Sequence, residues 1–160
     1  PQMARDHYLA PSATPEGSKV VRLAAAGAAN NYDYREVGKP VKLAGDSRFD
    51  LCAAGDEIEG FITSVESSTQ NDFSIGGVHE FGRYFVTADG LRATPGTGTI
   101  AIGDYVVAGT AVAKGTALTG YPKVCKTTAA GNTLNFKWRV VSHWTAGTGA
   151  VGTTIVIERV

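Results

Sequence analysis

The chain has 160 residues, 43% of them hydrophobic and 19% charged, with 15 basic and 15 acidic side chains and a formal net charge of zero. That length fits one domain, able to bury roughly 70% of its unfolded surface without a disulfide or a structural metal. Zero net charge excludes the basic excess of a dedicated nucleic-acid binder, and it removes the repulsion that keeps like copies apart.

Residues 1–18, PQMARDHYLAPSATPEGS, carry Pro11, Pro15 and Gly17, show no periodicity and lack the apolar stretch of a secretory signal. They read as an extended N-terminal arm: either a frayed tail or a strap across a neighbouring subunit, with Tyr8 and Leu9 as anchors. A chain starting at Pro1 fits a cytosolic product that has lost its initiator methionine, and equally a processed chain. No apolar run approaches the roughly 20 residues needed to span a bilayer, so no membrane partner is expected.

Residues 19–160 read as a single β domain. A first strand is expected over 20–26, running into an Ala- and Asn-rich stretch whose helical propensity is opposed by Gly27 and Asn30-Asn31. Further strands are expected over 41–44, 57–66, 73–78, 83–88, 105–108, 111–114, 123–127, 134–144 and 153–160. The pattern is β-branched and punctuated by Gly, so at least half of 39–160 should be strand, with helix confined to one or two short turns. In NFKWRVVSHW, Phe136, Trp138, Val140 and Trp144 alternate onto one face, with Lys137, Arg139 and His143 on the other. The expected core is therefore Phe136, Trp138, Val140, Trp144, Ile155 and Ile157.

A Gly-Asp pair recurs at Gly45-Asp46, Gly55-Asp56 and Gly103-Asp104. Gly takes positive φ and Asp caps nearby N–H groups, so the pair is a recurrent way into a strand rather than a true repeat. Cys52 and Cys125 are too few and too distant for a disulfide scaffold. They are expected as small buried hydrophobes in a reducing compartment.

Catalytic and cofactor motifs do not survive their context. The literal G-x-G-x-x-G over 147–152 is followed by a strand-like TTIVIERV and the last residue, not by a helix and a distant acid. Gly45-Asp46-Ser47 has no Asp-x-x-His to activate a serine. His7, His79 and His143 are scattered, and the acids over 46–66 do not follow Ca²⁺-loop spacing. No catalytic residue, cofactor or metal is expected. Charge is nonetheless segregated: acids crowd 46–66, while 105–157 contains no Asp or Glu but five cations. Asp56, Glu57 and Glu59 facing Lys123 and Lys126 of a neighbour would give a subunit contact its register; two solvated faces that never meet is the equal alternative.

The runs AGDEIEGFITSVES, IAIGDYVVAG and WRVVSHWTAGTGAVGTTIVIERV resemble the capsid cement or head-decoration proteins of tailed phages, over residues 39–160. The expected fold is all-β, a β-sandwich or small β-barrel with an extended N-terminal arm; the resemblance implies the β body and does not extend to the arm. It further implies a homotrimer on the outside of the shell of major capsid protein, so a virion location after assembly in the host cytoplasm. It brings no catalytic residues. The rival class is a carbohydrate-binding or adhesion β-sandwich module, whose exposed aromatic platform Tyr32, Tyr34, Tyr84, Tyr105 and Tyr121 could supply.

Overall fold

The computed structural model describes residues 18–23, 32–45, 48–66, 74–128, 133–145 and 147–160. Strands take 49% of it and helix 3%, including one 3-10 turn at Tyr34–Glu36, so the chain is all-β. The strands are β1 Ser18–Leu23, β2 Pro40–Leu43, β3 Arg48–Leu51, β4 Gly60–Glu66, β5 Ser74–His79, β6 Arg83–Leu91, β7 Thr94–Pro95, β8 Tyr105–Ala108, β9 Lys123–Lys126, β10 Trp138–His143 and β11 Thr154–Arg159. Where the sequence reading has one domain over 19–160, the contacts gather into two compact units. Unit 1 holds β1–β5 with Val112–Thr119, and unit 2 holds β6–β11 with Cys52–Ile58.

Unit 1 is a closed barrel of strand order β1-β3-β2-β4-β5. In unit 2 the order β6-β9-β8-β10-β11 also closes, because β11 pairs with β6, and the short β7 adds to β6. Closure removes free sheet edges, the usual route to unwanted strand pairing.

The two barrels are the same barrel. In each, the first strand pairs in parallel with the third and every other neighbour is antiparallel. The register agrees residue by residue. Leu23 opposes Phe49 as Ala88 opposes Val124; Val41 opposes Gly60 as Val106 opposes Trp138; Ile62 opposes Val78 as Val140 opposes Ile157. A bulge interrupts the fourth strand at the same place, between Ile62 and Ser64 and between Val140 and Ser142. Even the entry turns coincide. Gly38 and Gly103 both sit at φ 90°, and their N–H groups donate to the carbonyls of Ile62 and Val140, each at 2.8 Å. The duplication escapes the sequence because its frame matches Gly38 with Gly103, whereas the Gly-Asp frame matches Gly55 with Gly103. The Gly-Asp turn itself is as expected. Asp56 accepts from the N–H of Ala53 (2.7 Å) and Asp104 from that of Ala101 (2.8 Å), with Gly55 and Gly103 at positive φ.

Equivalent core positions are buried in both barrels: Leu23, Val41, Phe49, Ile62 and Val78 in the first, Ala88, Val106, Val124, Val140 and Ile157 in the second. Their sizes are exchanged. Gly60 of barrel 1, where an added Cβ would lie 2.6 Å from Val78, corresponds to the buried indole of Trp138 in barrel 2. Leu23 and Phe49 of barrel 1 are replaced in barrel 2 by the smaller Ala88 and Val124, which offsets part of the added volume in a close-packed core.

Three expectations are corrected. Residues 111–114 are not a strand: the Ala113 carbonyl is taken by a turn, accepting from the Thr116 N–H (3.1 Å), and by Lys39 Nζ (3.0 Å), in place of a ladder partner. Strand β3 went unforeseen, being only four residues with one large apolar pair, Phe49 and Leu51. Trp144 is 64% exposed rather than core, and Phe136 is only half-buried. For Trp144 the bulge at Val141 is the reason: one extra residue inverts the alternation beyond it. Beyond it His143, not Trp144, lies opposite the buried Ile155. Trp138, Val140, Ile155 and Ile157 are buried as expected.

Candidate interaction surfaces

Of the acids expected at an interface, Asp56 and Glu57 are engaged within unit 2 and Glu59 is buried in unit 1. Asp56 caps its turn, as above. Glu57 holds the segment before β10, accepting from the N–H groups of Asn135 (2.6 Å) and Phe136 (3.0 Å). Glu59 is buried, its N–H donating to the carbonyl of Val41 at 2.9 Å. Of the bases, Lys126 pairs with Asp104 at 3.3 Å, and Lys123 is exposed at the start of β9. Tyr8, Leu9 and the arm up to residue 17 lie outside the described residues, as do the Ala- and Asn-rich stretch 24–31 and Asp46-Ser47, while Ser18, expected in the arm, begins β1.

Other polar groups with chemical potential are also tied up. Asp89, buried in unit 2, accepts from the N–H (2.8 Å) and hydroxyl (2.7 Å) of Thr110. Cys125 Sγ donates to the Asp89 carbonyl at 3.5 Å, and burial, then the Asp89 carboxylate, push its thiol up to about 11, which keeps it protonated and unreactive. Cys52 is likewise a buried free thiol. Both ring nitrogens of His143 face carbonyls, Gly147 at 3.1 Å and Ile100 at 2.7 Å. No group of three or more His, Cys, Asp or Glu side chains that could hold a metal occurs among the described residues. Unit 1 has an open depression of about 520 Å³ lined by Lys19, Val21, Arg22, Leu43, Phe49 and Glu59 among others. Lys19 pairs with Glu80 at 2.8 Å and stands 4.8 Å over the Phe49 ring.

His79 is fully buried in β5, and burial holds its pKa below 6.5, against a smaller opposing pull from Glu80. The unfolded chain therefore binds the proton more readily. The stability His79 contributes is full above about pH 6.5 and is lost as the pH falls from there through the folded value. Thermal melts from pH 7.5 to 5 are expected to show a falling midpoint, with a smaller fall in His79→Gln; equal slopes in the two proteins would show that another group controls it.

The tyrosine platform does not form. Tyr32 is buried, and its hydroxyl donates to the Asp50 carboxylate; Tyr84 packs edge-on to Trp138 at 5.7 Å. A different aromatic set stands open on the outer face of barrel 2. Phe85 stacks on Tyr121 (5.5 Å, 26°) and meets Trp144 edge-on (5.0 Å, 74°), the three being 39%, 49% and 64% exposed. Tyr121 alone was foreseen, since only the bulge turns Trp144 outward. No family model, curated protein or solved structure matches the chain.

Proposed function

We propose that the chain is a structural protein of a tailed-phage particle, a cement protein that binds the outside of the major capsid shell as a homotrimer and stabilises it. The observation that carries this reading is where the chemistry lies. Asp56, Asp104 and Glu57 cap turns and backbone N–H groups and His143 faces two carbonyls, while large apolar side chains stand on the outside of closed barrels. Val20, Leu43, Phe81, Ile102 and Trp144 are each more than half exposed. Exposed apolar groups on a rigid, neutral scaffold suit a protein that folds alone and then associates. The resemblance over 39–160 supplies the partner.

The test is sedimentation with shells assembled from the major capsid protein of the same genome. The chain is expected to co-sediment, raise the shell's melting temperature, and run as a trimer by light scattering. If steering charges such as Lys123 set the encounter, attachment slows at high salt while bound protein stays bound. A monomer that leaves shells untouched would end this reading.

A further inference from the structure

The duplicated barrel separates what the fold requires from what it does not. At four equivalent positions on the face away from the barrel interior, barrel 1 carries Val20, Gly77, Ser64 and Glu66, and barrel 2 carries Phe85, Val156, Ser142 and Trp144, of which Val156 is covered. The scaffold is complete without aromatic residues there. In barrel 2 they are joined by Tyr121, from a loop for which barrel 1 has no counterpart, since β2 and β3 are joined directly by residues 44–47.

The surroundings of the cluster are specific. Thr87 and Thr154 pair with each other beside Phe85 and Val156; the Thr87 hydroxyl donates to the Tyr121 carbonyl (3.5 Å), and the Thr145 hydroxyl accepts from the Thr154 N–H (3.0 Å). Ser142 completes a hydroxyl rim. Lys123, in register with Thr87 and so on the same face, adds one exposed cation, and no Asp or Glu occurs between positions 105 and 157 to oppose it. Two acids lie nearby: Glu158, beyond Phe85, is held by Arg83 (3.3 Å) and Arg139 (3.7 Å), and the buried Asp89, two residues along β6 from Thr87, accepts from the N–H and hydroxyl of Thr110.

We propose that Phe85, Tyr121 and Trp144, with Lys123, form a binding site for an acidic glycan. The open ring faces take the C–H faces of pyranose rings. The hydroxyl rim exchanges hydrogen bonds with sugar hydroxyls, and Lys123 takes a uronate carboxylate. The site does not depend on attachment to a shell.

The two tryptophans make the test direct, because Trp138 is fully buried and Trp144 is 64% exposed, so acrylamide quenching reports Trp144. Hyaluronan hexasaccharide and trigalacturonate are expected to protect the full chain from quenching, and maltohexaose to protect it less. Tyr121→Ala should weaken uronate binding roughly tenfold by calorimetry, and Trp144→Ala should do the same with an unchanged melting temperature. Lys123→Gln should remove the preference for uronate over maltohexaose. Failure of all three saccharides to protect, or full binding by Trp144→Ala, overturns the site. If no saccharide binds and Trp144→Ala loses attachment to shells, the surface is a shell contact; the glycan site is then wrong and the cement reading stands. Uronate binding by a chain that ignores shells would have the reverse meaning.

Discussion

Replacing Trp138 by alanine is expected to destabilise the chain by about 3–5 kcal/mol, the range for truncating a large aromatic core residue. The indole is fully buried, its Nε1–H donates to the Ile58 carbonyl at 2.9 Å, and the Arg159 guanidinium stands 5.5 Å over its ring. Truncation therefore leaves a cavity and an orphaned buried carbonyl together. Relaxation is limited because the core positions that could move inward, Ala88 and Val124, are already small. At about 2–4 °C per kcal/mol for a chain of this size, the melting temperature should fall by roughly 6–20 °C. Trp144→Ala, on the exposed face of the same segment, should move it by less than about 0.5 kcal/mol. Comparable losses from the two substitutions would mean that the bulge does not invert the strand.

Glu36→Gln is expected to cost about 3–5 kcal/mol, because it strands a buried cation. Glu36 and Lys39 are 0% and 2% exposed, with Lys39 Nζ 3.1 Å from Glu36 Oε1. The pair also holds unit 1 together. Glu36 accepts from the N–H groups of Gly115 (2.6 Å) and Asp33 (3.1 Å), and Lys39 reaches the Ala113 carbonyl. Segment Val112–Thr119 is thus fastened to barrel 1 by two side chains from one 3-10 turn and its exit. Burial shields the pair from salt, so the loss measured by urea unfolding should be similar at low and high ionic strength. A loss that disappears at high salt would identify an exposed pair, and normal stability in Glu36→Gln would show that the lysine finds another partner.

The strand-by-strand pattern was largely legible, because β-branched residues between glycines report the pleat directly: 105–108 was read to the residue. The aromatic surface was not. Alternation in NFKWRVVSHW places Trp144 inward with Trp138, and nothing local to Val141 announces the extra residue that turns it outward. Glu36 and Lys39 were not singled out either, since three residues of spacing say nothing of burial. Their partners, Ala113 and Gly115, lie more than 70 positions along the chain. The duplication was hidden for a related reason. A barrel constrains register and volume more tightly than identity, and the matched strands share few residues, such as Val21 with Val86, Val41 with Val106 and Ser64 with Ser142.

Housing one barrel twice in a single polypeptide also frees it from a rule that binds assemblies of identical subunits. When like domains meet as separate copies, each surface substitution is displayed by every copy, so any adhesive change is multiplied and open-ended polymerisation becomes a hazard. Within one chain the copies can diverge. The first keeps Val20 and Glu66 where the second shows Phe85 and Trp144, so among the described residues this sticky aromatic patch belongs to one barrel, set on a scaffold whose twin demonstrates that it folds without one.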